Sequence, residues 1–385
     1  PVEFRLKNAL RPGWQTITGQ TVGEDTALIE TLEAVREALE QEKGKYVPSG
    51  PGKKIGFGVA CAYKNVGLGT GMKDAAGAIV ALESDGVVLY QGAAEMGQGP
   101  ATVMAQILME ASGIPFDAIR VVSNDTGTCP DGEETTASRQ TFITGNAVKK
   151  AGEDFYLQLK SFIKNHYGLE KAHMKFQMAG VEDDLTGRMI SWKEIFEKAA
   201  AEGVSIKAEF EYATSKTVPL PANNLPAEGD DPDDYKIHNA YCYGSGGAIV
   251  EVDEETGDYR VLKVISAHDL GRAINPQMAL GQIEGGAMMG VGYGISEKFI
   301  TDQGRPVTDN LSRCGVPKIT DAPEIEAIFV KKPIGEGPFG AKGMGELPVN
   351  PRAPAIVNAI YNAVGVRVTS LPVTKEKILE GLKSR

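Results

Sequence analysis

The run G-P-F-G-A-K-G-M-G-E-L-P-V-N-P-R-A-P-A-I-V-N-A-I at residues 337–360 sets one carboxylate, Glu346, at the end of a glycine-dense turn and ahead of an apolar helical stretch. Glycine gives such a turn positive φ angles and close backbone approach, while Pro348 and Pro351 stiffen the exit toward the next helix. A carboxylate held this way loses part of its hydration and suits general-base work beside a bound cofactor. The same arrangement also serves a structural loop whose acid caps the following helix, and local sequence leaves both readings open.

Three more glycine-rich turns stand before helices: E-M-G-Q-G-P-A-T at 95–102, T-A-S-R-Q-T-F-I-T-G-N-A-V at 136–148 and L-G-Q-I-E-G-G at 280–286. With G-A-K-G-M-G-E at 340–346 they are expected to present unpaired backbone N–H groups at positive helix ends, where phosphates and other anions bind. Gln98, Gln140, Asn146 and Gln282 offer paired donors and acceptors to a heterocycle. One such turn is routine punctuation, but four together suit a large polar cofactor with a phosphate or two.

Other chemistries find no support. The run at 335–340 formally matches G-x-G-x-x-G, yet a second glycine turn and Pro348 follow it where a dinucleotide fold needs a helix, and the stretch near 360 lacks the ribose-binding acid. At 67–74, Gly71 and Lys73 are not adjacent as a P-loop requires. The four histidines, His166, His173, His238 and His268, form no H-E-x-x-H pair, and there is no G-x-S-x-G elbow. Cys61, Cys129, Cys242 and Cys314 never form C-x-x-C, so neither zinc nor iron–sulfur ligation is readable, and reduced thiols in a cytoplasmic chain are expected. A formal net charge of -11, with no Lys/Arg stripe interleaved with aromatics, argues against nucleic acid as a partner. There is no basic-plus-apolar leader and no apolar run of membrane length, which disfavours secretion and membrane spanning.

The elements that must position these turns can be read coarsely. The chain is long enough for two or three subdomains around a large core, and its glycine-rich, half-apolar composition is that of an α/β or α+β protein. Residues 1–54 read as an N-terminal segment and linker continuing a preceding domain, with a helical pattern from Thr26 to Lys43. Residues 55–170 form a first α/β half, with strand-like I-G-F-G-V-A-C-A-Y and G-A-I-V-A-L, a hairpin at E-S-D-G-V-V and helices near 101–112 and 145–165. A polar segment, 171–238, includes the acidic run at 228–235, read as a solvated surface loop with a cation site as the alternative. Residues 239–385 form the second α/β half, with strand, turn and strand at 248–267, a Gly- and Met-rich helix from 281 and the Glu346 loop.

Taken in order, the four turns resemble the molybdenum-binding subunit of the xanthine oxidase family of molybdenum hydroxylases. The resemblance rests on E-M-G-Q-G, on A-S-R-Q followed by G-N-A-V, on D-x-G-x-x-I-N-P followed by G-Q-x-x-G-G between Asp269 and Gly286, and on G-x-G-E-L-P. It covers nearly all of this chain but only the C-terminal part of such a subunit, because the family's G-G-G-F-G-G and F-R-G-F-G segments are not found. The resemblance implies either a subunit encoded as two chains, similar to nicotinate dehydrogenase, or a processed piece.

That resemblance implies an α+β fold of mixed sheets with packed helices and a site for molybdenum held through molybdopterin cytosine dinucleotide, with no direct protein ligand to the metal. By the same resemblance Gly97, Gln98, Gly99 and Thr102 line the pterin or its diphosphate, and Ser138, Arg139, Gln140, Thr141, Gly145 and Asn146 cradle the dinucleotide. Gln282 and the backbone of Lys342, Gly343, Met344 and Gly345 face the pterin, Tyr63 lines the substrate pocket, and Glu346 is the base in hydroxylation of an electron-poor carbon of an N-heterocycle or aldehyde, with water as oxygen source. The implied partners are a second molybdenum-subunit chain with the other part of the site, an iron–sulfur subunit with [2Fe-2S] clusters, an FAD subunit and a small-molecule substrate. A cofactor-binding scaffold subunit without turnover is the alternative.

Overall fold

The computed structural model describes residues 1–385 except 70, 124, 222–227, 230–234 and 385. Most of the acidic run at 228–235 therefore lies outside the described residues. In chain order the elements are helices α1 (Val2–Asn8) and α2 (Leu28–Glu42), strands β1 (Lys53–Val66), β2 (Ala75–Glu83) and β3 (Gly86–Gln91), α3 (Pro100–Ser112), β4 (Ile119–Val122) and the long α4 (Gln140–Tyr167). Next come β5 (Met174–Gln177), β6 (Gly180–Asp183), β7 (Met189–Ser191), α5 (Trp192–Ala201), β8 (Lys207–Ala213), β9 (Ala240–Asp253), β10 (Tyr259–Asp269) and α6 (Pro276–Ile295). The chain closes with β11 (Thr301–Asp302), β12 (Arg305–Pro306), α7 (Leu311–Cys314), β13 (Glu324–Val330), α8 (Arg352–Val364) and α9 (Lys375–Lys383). This is an α+β fold of mixed sheets with packed helices.

One four-stranded sheet has the order β1-β9-β10-β13, antiparallel except for the parallel β10–β13 pair. Its pairing joins segments remote in sequence: β1 runs against β9 from Lys53↔Asp253 to Val66↔Ala240. A strand from the 55–170 segment is thus woven into the sheet of the 239–385 segment. Both faces are covered, which is why β9 is buried along nearly its whole length. On one face Leu32, Val35 and Leu39 of α2 pack with Val59, Ile249 and Ile265. On the other, Ala355, Ile356, Ala359 and Ile360 of α8 pack with Ala248 and Val250. The α8 backbone lies so close to β1 that a Cβ on Gly58 would sit 2.0 Å from the Ala355 carbonyl oxygen. Only glycine permits that approach.

The second sheet, β4-β3-β2-β8, packs against α3 and α4 through Val80, Leu89, Ile107, Val148 and Phe155. A small sheet, β5-β6-β7, and α5 extend this core. The E-S-D-G-V-V hairpin joins β2 to β3, with Glu83 opposite Gly86.

Two helix starts differ from expectation. Helix α4 begins at Gln140 rather than near 145, and α6 at Pro276 rather than 281. In α6 the Asn275 side chain accepts the Met278 N–H at 2.9 Å and Pro276 takes the first position, a cap written in the sequence as Asn-Pro. The glycines at 145, 281, 285 and 286 are helix-interior residues, not turns.

Candidate functional site

The turns meet where the two sheets adjoin, around a cleft of about 650 Å³. All four contribute: Gly97 and Gln98; Ser138, Arg139, Gln140 and Thr141; Gln282; and Lys342 through Glu346 line one cavity. Residues far apart in the chain are brought together because β10 and its continuation pair with the Glu346 loop. Gly271 bridges to Ala341, the Lys342 N–H donates to the Leu270 carbonyl at 2.9 Å, and the Arg272 N–H donates to the Gly340 carbonyl at 3.0 Å. The loop also presses on the turn before α4, since a Cβ on Gly343 would lie 1.6 Å from the Ser138 carbonyl oxygen. Ser138 itself adopts φ 53, a strained value for a non-glycine residue and one that turns its hydroxyl segment toward the loop.

Glu346 caps no helix. It stands before the short turn Leu347–Val349 with no side-chain cap bond, and α8 starts at Arg352 behind Pro351, also without one. The Ser138 hydroxyl donates to Glu346 Oε2 at 2.9 Å, Lys64 Nζ lies 2.7 Å from the same oxygen, and the Glu346 N–H donates to Ser138 Oγ at 3.3 Å. The Glu346 side chain is 47% exposed and paired rather than desolvated, which differs from the sequence-based expectation. Its carboxylate sits at the mouth of the cleft because the loop behind it is held from the back.

That backing is buried and charged. Lys342, whose side chain leaves the cleft, donates from Nζ to Asp269 Oδ2 at 2.6 Å and to the Asp25 carbonyl at 2.7 Å. Burial pushes the Asp269 carboxyl above its ordinary range, against the opposing pull of Lys342. Arg352 is fully buried, donating to the carbonyls of Pro348, Ile265 and Ser245 and to His268 Nε2 at 3.0 Å. Burial pulls its guanidinium down to about 9, which leaves it charged at neutral pH. Burial and then the Arg352 charge hold His268 well below its ordinary value, so the ring is neutral, and its Nδ1 is buried without a partner among the described residues.

Several predicted residues line the cleft but spend their polar groups internally. Arg139 is wholly buried, with Nε donating to Asp74 at 2.6 Å and its other nitrogens to the carbonyls of Gly132, Glu134 and Ala75. Gln140 Nε2 donates to Thr135 Oγ1 at 3.1 Å and to the Gly132 carbonyl at 3.2 Å. Three N–H groups of the 95–99 turn, expected to be free for an anion, are already taken. Glu95 Oε1 accepts from Gly97 at 2.8 Å and Gly99 at 3.0 Å, and Gln98 Oε1 accepts from Met96 at 2.7 Å. A carboxylate two residues before a glycine turn reaches back to it more readily than an outside ligand can, which sequence spacing does not reveal. Among the described residues, Gln282, Thr141 and Glu346 Oε1 are the predicted lining groups with no side-chain hydrogen-bond partner.

Gly99, Thr102, Gly145, Asn146 and Tyr63 do not line the cavity. Gly99 starts α3 at φ 76 and is packed by Met278, whose Cε a Cβ there would meet at 1.7 Å. Gly145 gives room to Pro338 and Ile107, and Asn146 Nδ2 donates to the Glu336 carbonyl at 2.7 Å, so both fasten α4 to the loop leading to Glu346. Tyr63 packs edge-on against Tyr241 at 5.5 Å. Its neighbour reaches the site instead. Lys64, missed in the sequence, carries only the signal that strand alternation puts it on the face opposite Tyr63. Met278, Asn275 and Arg272 were also missed as lining residues, although the D-x-G-x-x-I-N-P motif contains two of them. Among the described residues no group of three or more His, Cys, Asp or Glu side chains could hold a metal.

A family model described as molybdopterin cofactor-binding domain matches residues 30–323. The chain belongs to this molybdopterin cofactor-binding family. It is 31% identical over 388 residues to a probable xanthine dehydrogenase component of Bacillus subtilis (strain 168), covering 99% of this chain and 49% of the relative. It is 31% identical over 397 residues to the xanthine dehydrogenase molybdenum-binding subunit of Escherichia coli O157:H7, again covering 99% and 49%. Among solved structures, the aldehyde oxidoreductase from Desulfovibrio gigas superposes with a TM-score of 0.76 at 29% identity, covering all of this chain and 38% of that one. The chain thus spans about half the length of these curated relatives or less.

The residues present fit such a cofactor. A phosphorylated heterocycle needs hydrogen-bonding edges and room against bare backbone. The cleft offers the free Gln282 amide and Thr141 hydroxyl, and at Gly97 and Gly345 a Cβ would project into space with no protein atom nearer than 3.9 Å.

Proposed function

We propose that this chain is the base-carrying, cofactor-binding part of a molybdenum hydroxylase that oxidises an electron-poor carbon of an N-heterocycle or aldehyde with water as the oxygen source. The observation that carries this reading is the convergence of three glycine-rich turns and the glycine-rich helix segment at 280–286 on one cleft lined by Glu346, with one carboxylate oxygen anchored and the other without a partner among the described residues. The names of relatives, xanthine dehydrogenase and aldehyde oxidoreductase, support the reaction class.

When bound, molybdopterin cytosine dinucleotide with molybdenum supplies the two-electron redox chemistry. Gln282, Thr141 and the backbone of Gly343 to Gly345 hold the pterin and its tail, while Ser138 and the 95–99 turn shape the wall. Arg139 and Gln140 act by fixing that wall, since their polar groups are spent within it. Glu346 accepts the proton released as oxygen is transferred, a step worth about 10²–10⁴ in rate for a well-placed base. Substrate enters on the exposed side of Glu346, where solvent still reaches the carboxylate.

The reading includes partner chains, as the family resemblance implies: one that completes the site, and iron–sulfur and FAD subunits that carry electrons away. Exposed apolar side chains between Met289 and Ile319, among them Phe299, Leu311 and Ile319, support a partner surface in that stretch. No helix among the described residues is long and apolar enough to cross a membrane. Four unpaired cysteines agree with the cytoplasmic setting of this proposal.

The test is the purified complex. Mass spectrometry of the pterin released on denaturation should find molybdopterin cytosine dinucleotide, metal analysis should find molybdenum, and turnover in isotopically labelled water should place the label in the product. An intact complex with neither pterin nor molybdenum, or product oxygen drawn from dioxygen, would overturn the proposal.

A further inference from the structure

We infer that Lys64 is a positioning residue that fixes the orientation of the Glu346 carboxylate. The inference rests on the reading of Glu346 as the base. Strand β1 carries Tyr63 into the tyrosine cluster with Tyr241 and Tyr243 and sends Lys64 the other way. There the ammonium, 18% exposed, lies 2.7 Å from Glu346 Oε2, its one carboxylate partner among the described residues. Its remaining contacts, to Asn65 Oδ1 at 3.4 Å and the Asn65 carbonyl at 3.5 Å, are long and neutral.

Two donors, the Lys64 ammonium and the Ser138 hydroxyl, converge on Oε2. Glu346 Oε1 has no hydrogen-bond partner among the described residues. One oxygen is therefore clamped, which fixes the orientation of the group, and the other remains available to a proton.

The other charged groups around the cleft cannot substitute for Lys64, because each is committed elsewhere. Arg139 is paired with Asp74, Lys342 with Asp269 and Asp25, and Arg272 with Glu110. Arg352 is spent on carbonyls and His268 behind the loop, and Glu95 is folded into its own turn. Helix α6 brings Gln282, Met278 and Met289 to the cleft, all uncharged. Without Lys64 the Ser138 hydroxyl alone among the described residues donates to Oε2, so the carboxylate loses its fixed orientation toward the cleft.

Lys64→Met and Lys64→Gln, with Lys64→Arg as the charge-conserving control, test this in the assembled complex. Turnover should fall about tenfold or more, with KM within about twofold, in the Met and Gln variants and return toward wild type in the Arg variant, as misplacement of a catalytic group requires. A second readout needs no turnover: difference infrared spectroscopy of metal-free complex, with Glu346→Gln to assign the band, should show the Glu346 carboxylate stretch shifted and broadened without Lys64. An unchanged band and unchanged kcat in both neutral variants would overturn the inference. If the band shifts while Glu346→Gln retains full turnover, the positioning stands and the base reading falls.

Discussion

The front and the back of the cleft are built from the same short motifs yet obey different physics. At the front, Glu346, Lys64 and Ser138 form a partly exposed cluster in which each group keeps access to solvent or to the cavity. At the back, Arg139 with Asp74, Lys342 with Asp269, and Arg352 with His268 are buried and hydrogen-bonded to one another. Neighbours in sequence divide between the two: Ser138 faces the cleft while Arg139 is entombed, and Lys342 points inward three residues after Phe339 while Glu346 points out. The difference teaches that a motif residue's place in the pattern does not decide whether it touches a ligand or holds the residue that does.

The contrast can be broken from the back first. Replacing Asp74 with alanine strands the Arg139 guanidinium without its close partner, in a site where 0% of the arginine side chain is exposed. Removing one partner of a buried pair typically costs about 3–5 kcal/mol. Chemical unfolding should show a loss of that size, and a loss near zero would mean that Arg139 is not the strut described here. Gly343→Ala comes next: its Cβ would overlap the Ser138 carbonyl at 1.6 Å, so backbone must move, at a cost of roughly 1–3 kcal/mol. Gly97→Ala sharpens the comparison, since nothing stands within 4 Å and only its φ of 100 opposes the substitution, worth about 1–2 kcal/mol.

The smallest effect is a pH dependence. The folded chain keeps His268 neutral by burial, whereas the unfolded chain protonates it below its ordinary value of 6.5. The unfolded state therefore binds more protons below that value, so stability contributed by the neutral ring is present above it and lost as pH falls. Comparing unfolding free energies at about pH 7.5 and pH 5.5, either side of the ordinary histidine value, should show a shallower decline in His268→Gln than in the parent chain. Equal declines would remove His268 as the titrating group.

How much of this was legible in the sequence follows the same division. Helix α2 was visible as an apolar periodicity from Thr26 to Lys43 and forms over Leu28–Glu42, and the hairpin at Glu83 to Gly86 was visible as Asp-Gly between β-rich runs. The four glycine-rich segments were visible because glycine spacing is local, although the one at 280–286 lies inside α6 rather than in a turn. What each glycine does was not: Gly145 and Gly286 make room for Pro338 and Pro348 inside helices, and Gly99 for Met278, partners from far along the chain. The β1–β9 pairing and the reach of Lys64 to Glu346 were hidden for the same reason. Strand registers between segments so remote in sequence leave no local periodicity to read.

The central claim is that the Glu346 carboxylate moves a proton in a cleft that grips a pterin cofactor. Its most direct test is Glu346→Gln in the assembled complex, with released pterin and bound molybdenum quantified beside steady-state turnover. The account expects cofactor content unchanged and kcat lowered by about 10²-fold or more. Undiminished turnover in a fully loaded Glu346→Gln complex would contradict it.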